Sequence, residues 1–137
     1  MISTARAANQ QESESAIFGS GAIEAYSWWE TCEPDGWDYG TNRGAPDGWS
    51  WIVRMYTDVQ ARYCDVEEPG RISQHRVTHE DIMSAARKIR RKDFPAADAV
   101  KRGSRDLLSD ADGCIASIDA GVADTILQVA VLGRVQY

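Results

Sequence analysis

The sequence predicts an α+β fold: a small, tryptophan-rich antiparallel sheet of two to four strands from the N-terminal half, packed against about three C-terminal helices. Three observations point there. All five tryptophans fall between Trp28 and Trp51. Within that stretch Pro34-Asp35-Gly36-Trp37 recurs as Pro46-Asp47-Gly48-Trp49. Beyond residue 78 the apolar residues take up helical spacing behind capping residues.

Residues 1–20 are polar and aperiodic and read as a flexible tail or a short fraying helix, which leaves 21–137 as one globular α+β domain of ordinary size. From Ile23 to Glu33, aromatic residues and Thr suggest a strand that stops at Pro34. Each Pro-Asp-Gly-Trp copy should make a tight turn, because Pro presets φ, Asp bonds its own backbone and Gly takes a positive φ. Either turn would deliver a Trp. The residues between them, 38–45, read as loop or short strand.

The stretch 50–63 fits two periods. As a strand it aligns Trp51, Val53, Met55, Thr57, Val59, Ala61 and Tyr63; as a helix it stacks Ile52, Met55, Tyr56, Val59 and Tyr63. Its β-branched and aromatic content favours the strand, closed by Glu67-Glu68-Pro69-Gly70.

Thr78-His79-Glu80-Asp81 resembles a capping box, and Ile82, Ala85, Ala86 and Ile89 continue the helix to about Lys92. Pro95 suits the first position of a second helix, with Ala97, Val100, Lys101, Ser104, Leu107 and Leu108 on one side. Gly103 should weaken that helix by roughly 1 kcal/mol against Ala. Asp119 can cap a third helix, 122–132, whose nearly all-round apolar surface predicts a central place in the core. Gly133 ends it, and Val135-Gln136-Tyr137 reads as an edge strand.

No apolar run approaches the roughly 20 residues of a membrane span, and the start lacks the apolar stretch of a secretory signal. Cys32, Cys64 and Cys114 are odd in number and widely spaced, as expected of reduced thiols in a cytosolic protein. The net charge is −6, unevenly distributed. Residues 1–86 hold 6 basic and 14 acidic side chains, 87–105 hold 8 and 2, and 106–137 hold 1 and 5.

Three constellations could carry function. Trp37 and Trp49, placed by turns, are the indoles expected to face solvent; with Tyr39, Asp35 and Asp47 they make an aromatic and acidic surface. Such a surface repels phosphate and suits a protein partner or a neutral glycan, or a second copy of this chain if the aromatics form a subunit contact. The basic island Arg87, Lys88, Arg90, Arg91, Lys92, Lys101, Arg102 and Arg105 offers an alternative, nucleic-acid binding from two helices. The same cations also complement the helix macrodipole in any solvated helix, and the turn Asp93-Phe94-Pro95 lacks the glycine of a tight DNA-binding motif.

The third constellation is a metal or enzyme site built on Cys64, His75 and His79. His75 and His79 have metal-like spacing, but a cap at Thr78 separates them. The Asp110–Asp119 segment partly matches a calcium loop yet puts Leu108 and Ala116 at ligand positions, so a polar interhelix loop is expected. No nucleotide-binding, zinc-protease or other cofactor motif is present, and the sequence points to a non-enzymatic protein.

The run from Trp28 to Gly40, Trp-Trp-Glu-Thr-Cys-Glu-Pro-Asp-Gly-Trp-Asp-Tyr-Gly, and the run from Asp119 to Gly133 resemble small accessory proteins of bacteriophages that infect actinobacteria. The resemblance covers about a quarter of the chain. It implies a setting, the host cytosol, and a role in binding a host or phage protein; it transfers no site residues.

Overall fold

The computed structural model describes residues 6–25, 28–42, 44–56 and 72–135. Along them run helix α1 (Gln10–Phe18), the one-turn helix α2 (Ala22–Ala25), strand β1 (Thr31–Pro34) and the one-turn helix α3 (Tyr39–Asn42). Strands β2 (Ser50–Tyr56) and β3 (Ile72–Thr78) follow, then helices α4 (His79–Arg90), α5 (Asp98–Ser109), α6 (Ala111–Ser117) and α7 (Ala120–Leu132). The fold is α+β: a three-stranded antiparallel sheet in the order β1-β2-β3 carries an aromatic cluster, and the C-terminal helices pack against it.

β2 resolves the ambiguous period in favour of a strand. It is the central strand, with Trp51 opposite Val77 and Val53 opposite His75 on β3, and with Pro34 and Cys32 opposite the same two residues on β1. Trp51, Val53 and Met55 are buried as the period-two pattern requires, and Ile52 is buried as well. The predicted continuation through residue 63, its closing Pro69-Gly70 and Cys64 lie outside the described residues. β3 is polar except at its ends and escapes a pattern search.

Both Pro-Asp-Gly bends form, with Gly36 and Gly48 each at φ 77°, a conformation that disfavours any side chain. The second is hydrogen-bonded from Trp49 N–H to Pro46 O. Pro34 also ends the outer strand of the sheet. Asp35 N–H donates to Ser50 O across the ladder, so the alternation turns position 34, which has no N–H, away from β2.

The strand expected from Ile23 begins only at Thr31. Trp28 turns instead to the helices, where its indole N–H donates to Asp124 Oδ1 on α7 at 2.7 Å, and Gln128 Nε2 donates to Asp124 Oδ2 at 2.8 Å. All three side chains are buried, so the carboxylate is held by two donors in a dry setting.

Of the two readings of residues 1–20, tail or short fraying helix, residues 10–18 take the second and carry a firm cap. Asn9 accepts from Glu12 N–H while Glu12 accepts from Asn9 N–H, the reciprocal box that fixes a helix start. α1 then buries Ile17 and Phe18. Upstream, Ala8 N–H donates to Leu107 O, and Arg6 exchanges backbone bonds with Ser109 and Ala111. Composition hides all this because α1 buries Ser13 and Glu14 in place of a regular apolar stripe.

α7 is the axis of the helical layer, packing against α1, α2, α4, α5 and β3. It starts at the predicted cap, Asp119 accepting from Val122 N–H, and ends at Gly133. α4 likewise starts from the Thr78–Asp81 box and buries Ile82, Ala85, Ala86 and Ile89. α5 begins at Asp98, not at Pro95, which lies in the bend joining it to α4. Residues 111–117 are a fourth C-terminal helix where a polar loop was expected, because Asp110 accepts from Gly113 N–H and caps it. Residues 39–42, expected as loop or strand, form a helical turn held by Asp38 accepting from Thr41 N–H. Val135 joins no strand, and residues 136–137 lie outside the described set.

Gly103 is a contact point more than a weakness. A Cβ there would lie 2.8 Å from Val122 Cγ1 and 3.0 Å from Ile118 Cγ1. Gly103→Ala should therefore lose about 1–2 kcal/mol in chemical denaturation, because overpacking outweighs the gain of about 1 kcal/mol in helix propensity. A stabilised variant would show that the α5–α7 contact yields.

Candidate binding site at the aromatic corner

The aromatic rings form one continuous series from interior to surface. Trp49 meets the edge of Phe18 at 5.9 Å, Phe18 stacks on Trp51 at 4.2 Å and 6°, Trp51 meets Trp37 at 6.1 Å, and Trp37 meets Tyr39 at 5.1 Å and 89°. Such contacts each add about 0.5–1.5 kcal/mol to the burial of the rings. Trp49, expected at the surface, is at the inner end and only 2% exposed. Its indole N–H donates to Gln10 O at 2.6 Å, and Gln10 Oε1 accepts from Gly48 N–H, so the second bend is docked onto α1. This removes Trp49 from the contact set.

Trp37 is half-buried, its N–H donating to Ser50 O at 3.0 Å. Tyr39 is 45% exposed, and among the described residues it and Val135 are the large apolar side chains most open to solvent. Asp35 and Asp38, beside Trp37 in the chain, are exposed, as is Asp47 on the second bend. Asp35 accepts from Ser50 Oγ and pairs with Arg76 at 3.2 Å. Asp38 is kept below the usual carboxylate range chiefly by the Thr41 N–H it accepts.

Behind Tyr39 lies a cleft of about 570 Å³, within the size range of ligand sites, between α1, α3 and α6. Sequence reasoning missed it because its central residue, Glu14, fell in the presumed tail. Glu14 is 1% exposed and accepts a hydrogen bond from the Tyr39 hydroxyl. Burial pushes its pKa up; the Tyr39 hydroxyl and the neighbouring Trp51 N–H oppose the rise. That indole N–H is buried without a partner in hydrogen-bond geometry. Glu12, at the cleft wall, is held down to about 2 by the Arg6 guanidinium and the Asn9 N–H.

The basic island divides into structural and open cations. Lys88 Nζ donates to Gly133 O at 2.5 Å, and Lys101 Nζ donates to Ile89 O at 2.9 Å and Arg91 O at 2.7 Å, so both cap helix C-termini. Arg87 pairs with Glu80 at 3.8 Å and Arg105 approaches Asp106 at 4.0 Å. Arg90, Arg91, Lys92 and Arg102 are exposed.

The proposed metal residues are not brought together. His75 sits on β3 with Nε2 3.1 Å from Ser73 Oγ, while His79 opens α4 with Nδ1 2.7 Å from Ser13 Oγ. Cys64 lies outside the described residues, and among the described ones no three metal-ligating side chains cluster. The Ser13–His79 contact resembles a nucleophile pair, but Ser13 is fully buried and its hydroxyl donates to Gln10 O. It ties α1 to α4. Burial raises the Cys114 thiol and, with Glu33, pushes Cys32 up to about 12, so neither is a thiolate at neutral pH.

No helix of the described chain is long and apolar enough to cross a membrane. No family model, curated protein or solved structure matches the sequence or fold.

The Glu14 environment makes a signed prediction. A carboxyl whose pKa is raised by folding costs stability once the unfolded chain ionises, above its ordinary value near 4.5. Glu14→Gln should therefore match the wild type in denaturation at pH 4 and become the more stable of the two as pH rises to 8. A difference independent of pH would contradict the buried-carboxyl assignment.

Proposed function

We propose that this chain is a non-enzymatic binding protein that holds a basic protein segment on the acidic aromatic corner around Trp37 and Tyr39. The observation that carries the reading is the outward end of the ring series: Tyr39, 45% exposed, rests edge-on against Trp37, with exposed Asp35 and Asp38 flanking Trp37 in the chain. Rigid aromatic area lowers the entropy cost of docking, and surrounding carboxylates speed the approach of cations. A host or phage protein met in the host cytosol fits this reading, in the manner of a phage accessory factor.

Retaining a host protein on the immobilised chain, identifying it, and titrating it in purified form would test the proposal. Tyr39→Ala should weaken binding at least about tenfold, a loss expected of an aromatic anchor, and salt should lower the association rate. Unchanged affinity in the variant would end the case for this corner.

A second reading, nucleic-acid binding, is favoured by one observation: exposed Arg90, Arg91, Lys92 and Arg102 gather where α4 meets α5 and make no ion pair among the described residues. Reversing the charges of Arg90, Arg91 and Arg102 should abolish any salt-dependent DNA binding. Retention of that binding would exclude these helices.

A further inference from the structure

Among the described residues Glu14 is a buried acid that no cation meets. Among the described residues no Lys, Arg or His pairs with it, and the Tyr39 hydroxyl is its one donor in hydrogen-bond geometry. A carboxyl placed so is costly to ionise unless a positive group joins it. The cleft beside it has room for one. Its wall carries Glu12, Glu14, the Tyr39 ring and the apolar side chains of Ala45, Cys114 and Ile118, with no basic residue among the described lining.

We propose that the cleft receives an alkylammonium group, its N–H donors on the Glu14 carboxylate and its carbon chain against Tyr39 and the apolar wall. An anion would meet two acids, and a neutral alcohol would leave the Glu14 charge unanswered. A guanidinium is less suited, because its planar fork takes both oxygens of a carboxylate and Glu14 Oε1 already accepts from Tyr39. A compact ammonium bonds the oxygens singly and can also lie near the aromatic face. The inference goes beyond the partner corner: Tyr39 is common to both, but Trp37, Asp35 and Asp47 take no part in the cleft.

The groups facing Glu14 set the pH dependence. Glu12 on the same helix stays ionised under Arg6, Tyr39 comes from α3, and Cys114 from α6 is a neutral thiol. Glu14 is thus the group whose ionisation would switch binding, which should weaken as pH falls and the carboxyl protonates.

The test is calorimetric titration of the full chain with n-pentylammonium, with a capped lysine tripeptide, and with n-pentanol as the uncharged control. Saturable binding of either ammonium, absence of pentanol binding, and weaker binding at pH 4 than at pH 8 are expected. Glu14→Gln should bind at least about tenfold more weakly, and Glu14→Asp, which keeps the charge, should retain part of the affinity. Tighter binding of the tripeptide would assign the ammonium to a partner's lysine; tighter binding of the free amine would assign it to a small molecule. Should Glu14→Gln fail to fold, the pentanol and pH comparisons on the wild type still decide. No saturable ammonium binding, or equal binding by folded Glu14→Gln, would overturn the proposal while leaving the Tyr39→Ala experiment on the partner corner untouched.

Discussion

A buried indole N–H without an acceptor costs free energy, and this fold meets that demand for three of its tryptophans. Trp28 reaches Asp124 on α7, Trp37 reaches the carbonyl of Ser50 at the head of β2, and Trp49 reaches the carbonyl of Gln10 at the head of α1. The Trp28 and Trp49 bonds join elements far apart in sequence, while the Trp37 bond closes the first bend onto the sheet. The sheet and the helices are therefore fastened by directional contacts as well as by apolar burial, which by itself would permit sliding. Trp51 is the exception: its N–H lies beside Glu14 without a proper bond.

Local chemistry made much of the second half legible. Thr78 with Asp81, and Asp119 with Gly133, mark helix ends through short-range hydrogen bonds that depend on a few neighbouring residues, and both ends stand where the residues put them. The paired bends are equally local, since Gly36 and Gly48 need only their own φ. The direction in which each bend sends its Trp is not local. Trp49 goes inward because Gln10 and Phe18 wait for it, and nothing in Pro46-Asp47-Gly48 encodes a helix thirty-odd residues upstream. The same blindness left α1 between tail and fraying helix: its buried face includes Ser13 and Glu14, acceptable only because His79 and Tyr39 meet them.

The candidate sites follow the same division. The corner at Trp37 and Tyr39 could be named from turn chemistry and composition. The cleft could not, because its parts come from α1, α3 and α6, of which only α1 was offered as a helix, and then as a fraying one. The basic island shows a further limit of composition. Two of its lysines point at helix C-termini and act as caps, so a count of cations overstates the charge available to a partner.

Pro34 serves the molecule in a way that its part in the first bend conceals. An outer strand with free N–H groups invites other chains to pair with it and grow into fibrils. Here that strand is four residues long and ends in a residue with no hydrogen to donate, turned outward. Placing the aromatic corner immediately after it lets sticky rings stand at the surface of an acidic protein while its neighbouring backbone offers little template for polymerisation.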